Sequence, residues 1–151
     1  MEIKFKRLHK DAKLPQRASE LAGGWDVVAT EMDDKNSRDF MICKLGFALE
    51  IPEGYRLVLV PRSSLTKTYW VMQNSPGLGD ADYRGEYQMR FRCIPADTDR
   101  ESLHYMRFPY LVGDRVGQIY LEKVIPMEFV EVDELSDSDR GSGGFGSTGN
   151  G

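Results

Sequence analysis

Cysteine and histidine are scarce in this chain, with two of each among 151 residues. Cys43 and Cys93 stand far apart in apolar stretches, and no secretory pattern accompanies them. Two buried free thiols are expected rather than a disulfide framework. A zinc site would need nearly all of Cys43, Cys93, His9 and His104, and their spacing matches no zinc pattern. No apolar run approaches the ~20 residues that a membrane-spanning helix requires. The first eight residues, MEIKFKRL, alternate charge with apolar side chains and hold no signal-peptide core. They read as a strand, and a cytoplasmic protein is expected (nuclear or host-cytoplasmic in a eukaryotic or viral setting). Positive charge is also short: the formal net charge is −4. That disfavours a general nucleic-acid-binding surface. It also means that an anionic ligand must be held by local arginines, backbone N–H groups and a metal ion.

Helical periodicity is nearly missing. What is present is a series of short strand-like runs at 3–8, 27–29, 40–44, 47–51, 56–60, 87–93, 116–121 and 128–132. In 87–93, Tyr87, Met89, Phe91 and Cys93 share one face, while Gln88, Arg90 and Arg92 share the other. That period of two marks a half-buried strand. Turn signals at 52–54, 75–77, 95–97 and 113–114 separate the runs. Many short strands at this spacing predict an all-β, jelly-roll-like barrel or sandwich. The stretch 63–70 holds one short helical turn with a serine near its start as a cap. The length suits one domain with a core. From 133 onward apolar residues nearly vanish, which divides the chain into a β-barrel at 1–132 and a flexible Gly-rich arm at 133–151.

Two stretches carry candidate chemistry. The first, NSPGLGDADYRGE at 74–86, places Asp80 and Asp82 beside Tyr83 on a Gly-rich hairpin. Paired acids on a turn are usually solvated turn formers; they also serve as a base with an arginine partner. Extended backbone would point both to one face. The second, RGSGGFGSTG at 140–149, combines Arg140, hydroxyls and free backbone N–H groups, which suit phosphate. It matches a dinucleotide or phosphate-loop wording only formally, since neither a βαβ unit nor a following helix surrounds it. Phe145 within it could stack on a base. PRSSL at 61–65 is either a strand-to-turn junction or an anion site built on Ser63, Ser64 and local N–H groups. Asp114 and Arg115 read as a surface turn pair. Gln118 interrupts an apolar strand, so its amide needs a partner.

The order of these segments resembles the five motifs of the trimeric all-β dUTPases. The first is AGGWDVVA at 22–29, with Asp26 at the acidic position. The others are 61–65, 74–86, 113–118 and 140–149. The match departs around Trp25 and Val27, and at Gly79, where the family usually has isoleucine. The chain is also several residues longer between 86 and 113, with 97–109 as an extended hairpin or loop that is either a surface for a protein partner or a neutral insertion. The resemblance implies a distorted jelly-roll barrel assembled as a homotrimer with shared active sites, the arm of one copy closing over a site built by others. It implies hydrolysis of dUTP to dUMP and pyrophosphate with Mg²⁺, limiting uracil in DNA and supplying dUMP for thymidylate synthesis.

On that resemblance Asp80 would be the general base for a water attacking the α-phosphorus. Asp26 would touch Mg²⁺ through water, the ion being held mainly by the substrate phosphates. Ser63, Ser64 and Gln118 would hold phosphate oxygens. Arg62 joins the substrate-binding set and is expected chiefly to pair with Asp82, a structural residue, and so brace the hairpin. Asn74 would read uracil, Gly77 would sit in the tight turn that excludes a methyl group, and Tyr83 would pack under the deoxyribose. Phe145 would stack on the base, Arg140 would grip the γ-phosphate, and Gly146, Ser147 and Thr148 would surround the phosphates. Two other readings remain: a catalytically weak nucleotide-binding trimer with a regulatory role, and a relative of dCTP deaminase. The latter carries a glutamate as base in the third-motif region, where this chain has Asp80-Ala-Asp82-Tyr83.

Overall fold

Ten short strands and one 3-10 turn make up the regular structure of the described residues. The computed structural model describes residues 1–94 and 107–144. The strands are β1 (Lys4–Arg7), β2 (Trp25–Val28), β3 (Glu31–Asp33), β4 (Phe40–Lys44), β5 (Phe47–Glu50), β6 (Tyr55–Pro61), β7 (Trp70–Met72), β8 (Gly77–Gly79), β9 (Gln88–Cys93) and β10 (Arg115–Lys123). They pair antiparallel into two four-stranded sheets, β2-β10-β6-β8 and β3-β4-β9-β7, plus the two-stranded β1-β5. The protein is all-β, as the patterning predicts. Among the described residues no helix is long and apolar enough to cross a membrane.

Alternation explains why the sheets stack. On β9, Met89, Phe91 and Cys93 are buried while Arg90 and Arg92 face water. They meet Val27, Leu57, Leu59, Val116 and Ile119 of the opposite sheet in one apolar cluster. Met89 presses on the backbone of Gly117, its sulfur and methyl filling the place a β-carbon would occupy. A side chain at 117 would have to displace the end of Met89 and would crowd the Val60 carbonyl. Both cysteines are free and buried, as expected. Burial pushes the Cys43 thiol up to about 12, so it stays protonated and inert.

Three expectations are corrected. The run 128–132 forms no strand: Phe129 is 88% exposed, and the sheets end at Lys123. A strand needs a neighbour to pair with, and this segment pairs with none among the described residues. The 3-10 turn Ser63–Lys67 has Arg62 at its N-cap and no side-chain cap, so the serine cap does not form. Thr66 Oγ1 instead donates to the Ser63 carbonyl at 2.7 Å. Strands β3, β7 and β8, three residues each, had no periodic signal. Of the stretch 97–109, residues 97–106 lie outside the described residues. Its returning end is anchored in the core, with Phe108 edge-on to Trp70 at 4.9 Å between centroids.

Candidate active site

Strand order places one group of predicted residues together. Asp26 on β2 lies opposite Gln118 on β10, which lies opposite Val60 on β6. Asp26 is buried, 6% exposed, yet fully engaged. Gln118 Nε2 donates to its Oδ1 at 3.2 Å, which supplies the partner that the amide needed. Arg115 Nη1 donates to its Oδ2 at 2.9 Å. Arg62, just past the end of β6, brings its Nε within 3.7 Å of Asp26 Oδ1 and donates from Nη1 to the Arg115 carbonyl at 3.3 Å. One carboxylate thus faces two guanidinium groups, leaving the cluster a net positive charge suited to phosphate. Ser63 and Ser64 follow Arg62 on the 3-10 turn, exposed at the same end of the sheet.

Arg115 escaped the sequence reading, which left it in a surface turn. In a regular strand, residues 115 and 118 would face opposite sides. The register between β10 and β2 shifts between Arg115 and Gly117, and this bulge reverses the alternation so that both side chains reach Asp26. A glycine inside an apolar strand was the available signal.

The hairpin forms a second group. A cleft of about 640 Å³ is lined by Asn74, Gly77, Leu78, Asp80, Tyr83 and Tyr87, among others. Its volume lies in the range of small-ligand sites. The Asn74 amide ties the hairpin to β9: Nδ2 donates to the Gln88 carbonyl at 3.2 Å and Oδ1 accepts from Arg90 N–H at 2.8 Å. One amide hydrogen is left for a ligand. Tyr83 donates its hydroxyl to the Glu86 carbonyl at 3.0 Å and stands edge-on to Tyr87, 5.3 Å between centroids. Tyr87 fills the space where Gly79 would carry a β-carbon, within 2.7 Å of its hydroxyl. A larger residue at 79 would displace that ring. The Tyr87 hydroxyl is buried without a hydrogen-bond partner among the described residues. Burial, and then the neighbouring Tyr83, push it up to about 12.

One expectation about this hairpin fails. The Asp80 carbonyl accepts from Tyr83 N–H at 3.1 Å, closing a turn, so the extended alternation that would align Asp80 with Asp82 is lost. Within one chain Arg62 lies with Asp26, and the hairpin is braced locally. The brace is Arg84, whose Nη1 donates to the carbonyls of Ala81 and Tyr83 at 2.7 and 3.1 Å.

The two groups do not meet within one chain. Gly77 and Gly79 pair with Leu59 and Leu57, while Arg62 lies just past the end of β6. The separation along the strand is roughly 10–16 Å at ~3.3 Å per residue. Arg140 is exposed and donates from Nε to the Gly143 carbonyl at 2.8 Å. Phe145, Gly146, Ser147 and Thr148 lie outside the described residues.

No three His, Cys, Asp or Glu side chains gather as a metal cage among the described residues. Both Asp26 oxygens already accept hydrogen bonds. That donor set fits Mg²⁺ arriving on a polyphosphate, with Asp26 reaching only its water shell, because the ion keeps several of its waters.

Residues 10–149 match the dUTPase family. The chain is 37% identical over 150 residues to the deoxyuridine 5'-triphosphate nucleotidohydrolase of Helicobacter pylori (strain P12), covering 99% of this chain and 97% of that one. It is 35% identical to the enzyme of the same name from Thermobifida fusca (strain YX), covering 99% and 79%. In three dimensions it resembles the dUTPase of Staphylococcus bacteriophage 80alpha solved with dUpNHpp, at a TM-score of 0.79, 24% identity and 98% coverage of each chain. The dUTPase from phage phi11 of S. aureus, solved with a structural Mg(II) ion, gives a TM-score of 0.69 at 20% identity, covering 89% and 99%.

Proposed function

This chain belongs to the dUTPase family and hydrolyses dUTP to dUMP and pyrophosphate, and we propose that it does so at a site assembled from more than one copy of itself. The observation that supports a shared site is the separation of the two groups along β6. The arginine cluster has the charge for phosphates, and the cavity beside Asp26 and Arg115, about 100 Å³, is much smaller than the hairpin's cleft. The hairpin has the cleft and carries Asp80. A nucleoside triphosphate needs both, so the hairpin of one copy faces the Asp26 cluster of another. The exposed apolar segment 124–132, with Ile125, Met127, Phe129 and Val130, supports self-association, because it has no strand to pair with at home.

In this arrangement Asp80 takes the proton of a water that attacks the α-phosphorus. The new P–O bond forms as the bond to the β-phosphate breaks, and pyrophosphate leaves. A carboxylate does this when it lies within ~3 Å of the water. Ser63, Ser64, Gln118 and Arg115 hold phosphate oxygens, with Arg62 beside them. Asp26 keeps the guanidinium groups oriented and reaches the waters of Mg²⁺. The ion, when bound, neutralises the phosphates and fixes one conformer for in-line attack. Tyr83 packs under the deoxyribose, Asn74 and the backbone around Gly77 read the uracil edge, and Asp82 stays a turn former. The arm at 133–151 closes over the nucleotide, with Phe145 on the base and Arg140, Gly146, Ser147 and Thr148 on the phosphates. The protein works in the cytoplasm or its equivalent.

Pyrophosphate release with Mg²⁺ from dUTP, dCTP, dTTP and UTP tests the activity: rapid release is expected from dUTP alone. Turnover of dCTP with release of ammonia would favour the deaminase reading, and binding without hydrolysis would favour the regulatory one. A complementation experiment tests the shared site. Asp80→Asn and Arg62→Gln chains, each inactive alone, are unfolded and refolded together. Random mixing at equal amounts returns about a quarter of the sites with both halves intact, because each site samples two different copies. No recovery in mixed oligomers would place both halves on one chain.

A further inference from the structure

Tyr110 follows the long connection after β9, and nothing in the motif set gives it a task. Its ring is locked in the core, 8% exposed, against Phe108 and Phe91 at 5.6 and 6.2 Å between centroids. Its hydroxyl lies 3.3 Å from Ser64 Oγ on the exposed 3-10 turn. The direction of this bond follows from acidity. A phenol is a far stronger acid than an aliphatic hydroxyl, so it is the better donor, and the serine oxygen accepts. The serine proton is then free to turn outward. The separation is longer than the 2.7–2.8 Å typical of O–H···O bonds. When Ser64 donates to an anionic oxygen, its own oxygen becomes a stronger acceptor, and the phenol is drawn in.

We propose that Tyr110 is a positioning residue for dUTP hydrolysis: its buried hydroxyl donates to Ser64 Oγ and so aims the Ser64 proton at a phosphate oxygen of the nucleotide. This rests on the reading of Ser64 as a phosphate ligand. Tyr110→Phe keeps the ring packed and removes only the donor. Its kcat/KM for dUTP is expected to fall ~5- to 10-fold, the scale of one lost hydrogen bond. The loss is measured again in two backgrounds. In Ser64→Ala it should vanish, because the phenol then has nothing to orient. In Ser64→Thr, which keeps a hydroxyl, it should return. A Tyr110→Phe enzyme within twofold of the parent overturns the inference while leaving Ser64 as a ligand. A loss that recurs in full on Ser64→Ala, or disappears on Ser64→Thr, also overturns it, since Tyr110 would then act through packing. A fully active Ser64→Ala enzyme removes the phosphate role of Ser64, and the inference falls with it.

Discussion

Replacing Asp80 with asparagine is expected to leave dUTP bound and to slow its hydrolysis at least ~100-fold, the usual scale for a lost general base. Asparagine has the shape of aspartate but cannot take a proton from water. The substitution leaves the turn alone, because Asp80 contributes its carbonyl to that turn, accepting from Tyr83 N–H. The side chain is exposed at the rim of the cleft, so no core packing is lost. Titration with a non-hydrolysable dUTP analogue reads binding, and single-turnover pyrophosphate release reads chemistry. Turnover near the parental rate would assign the base elsewhere.

Deleting residues 140–151 is expected to leave the assembly intact and to cut turnover on the order of 100-fold, the scale of a mispositioned reactive group. The deletion starts well beyond Lys123, the end of β10, so it removes none of the strands among the described residues. Ordering an arm costs ~1–2 kcal/mol per residue before any contact offsets it. Only a ligand rich in charge can return that much, so the arm should act on dUTP and contribute little to binding of dUMP. Sedimentation of the truncated protein reports the assembly, and parallel assays report turnover and product affinity. Full activity after truncation would remove the arm from the mechanism.

The fold was legible where side-chain alternation is strict. Strand β4 falls on the expected residues, and β9 buries the predicted Met89, Phe91 and Cys93. Strands β3, β7 and β8 were illegible because three residues carry no period; their neighbours hold them. The partner of Gln118 could be demanded from its sequence context, but not named. Arg115 was hidden by a bulge that no alternation rule anticipates. The place of Arg62 beside Asp26 was illegible because it depends on strand order, not on motif order. The register sets Arg62 just past the end of β6 and the hairpin strand β8 beside Leu57, Val58 and Leu59.

The unpaired strip from Ile125 to Val132 has one more consequence. Surface that a molecule hides only by meeting its copies ties its melting temperature to how many copies are nearby. Dilution should lower that temperature even with buffer and sequence unchanged, by mass action. If copies cover the strip as proposed, a newly made chain is most prone to aggregate before it meets them, when the strip is open to any exposed edge.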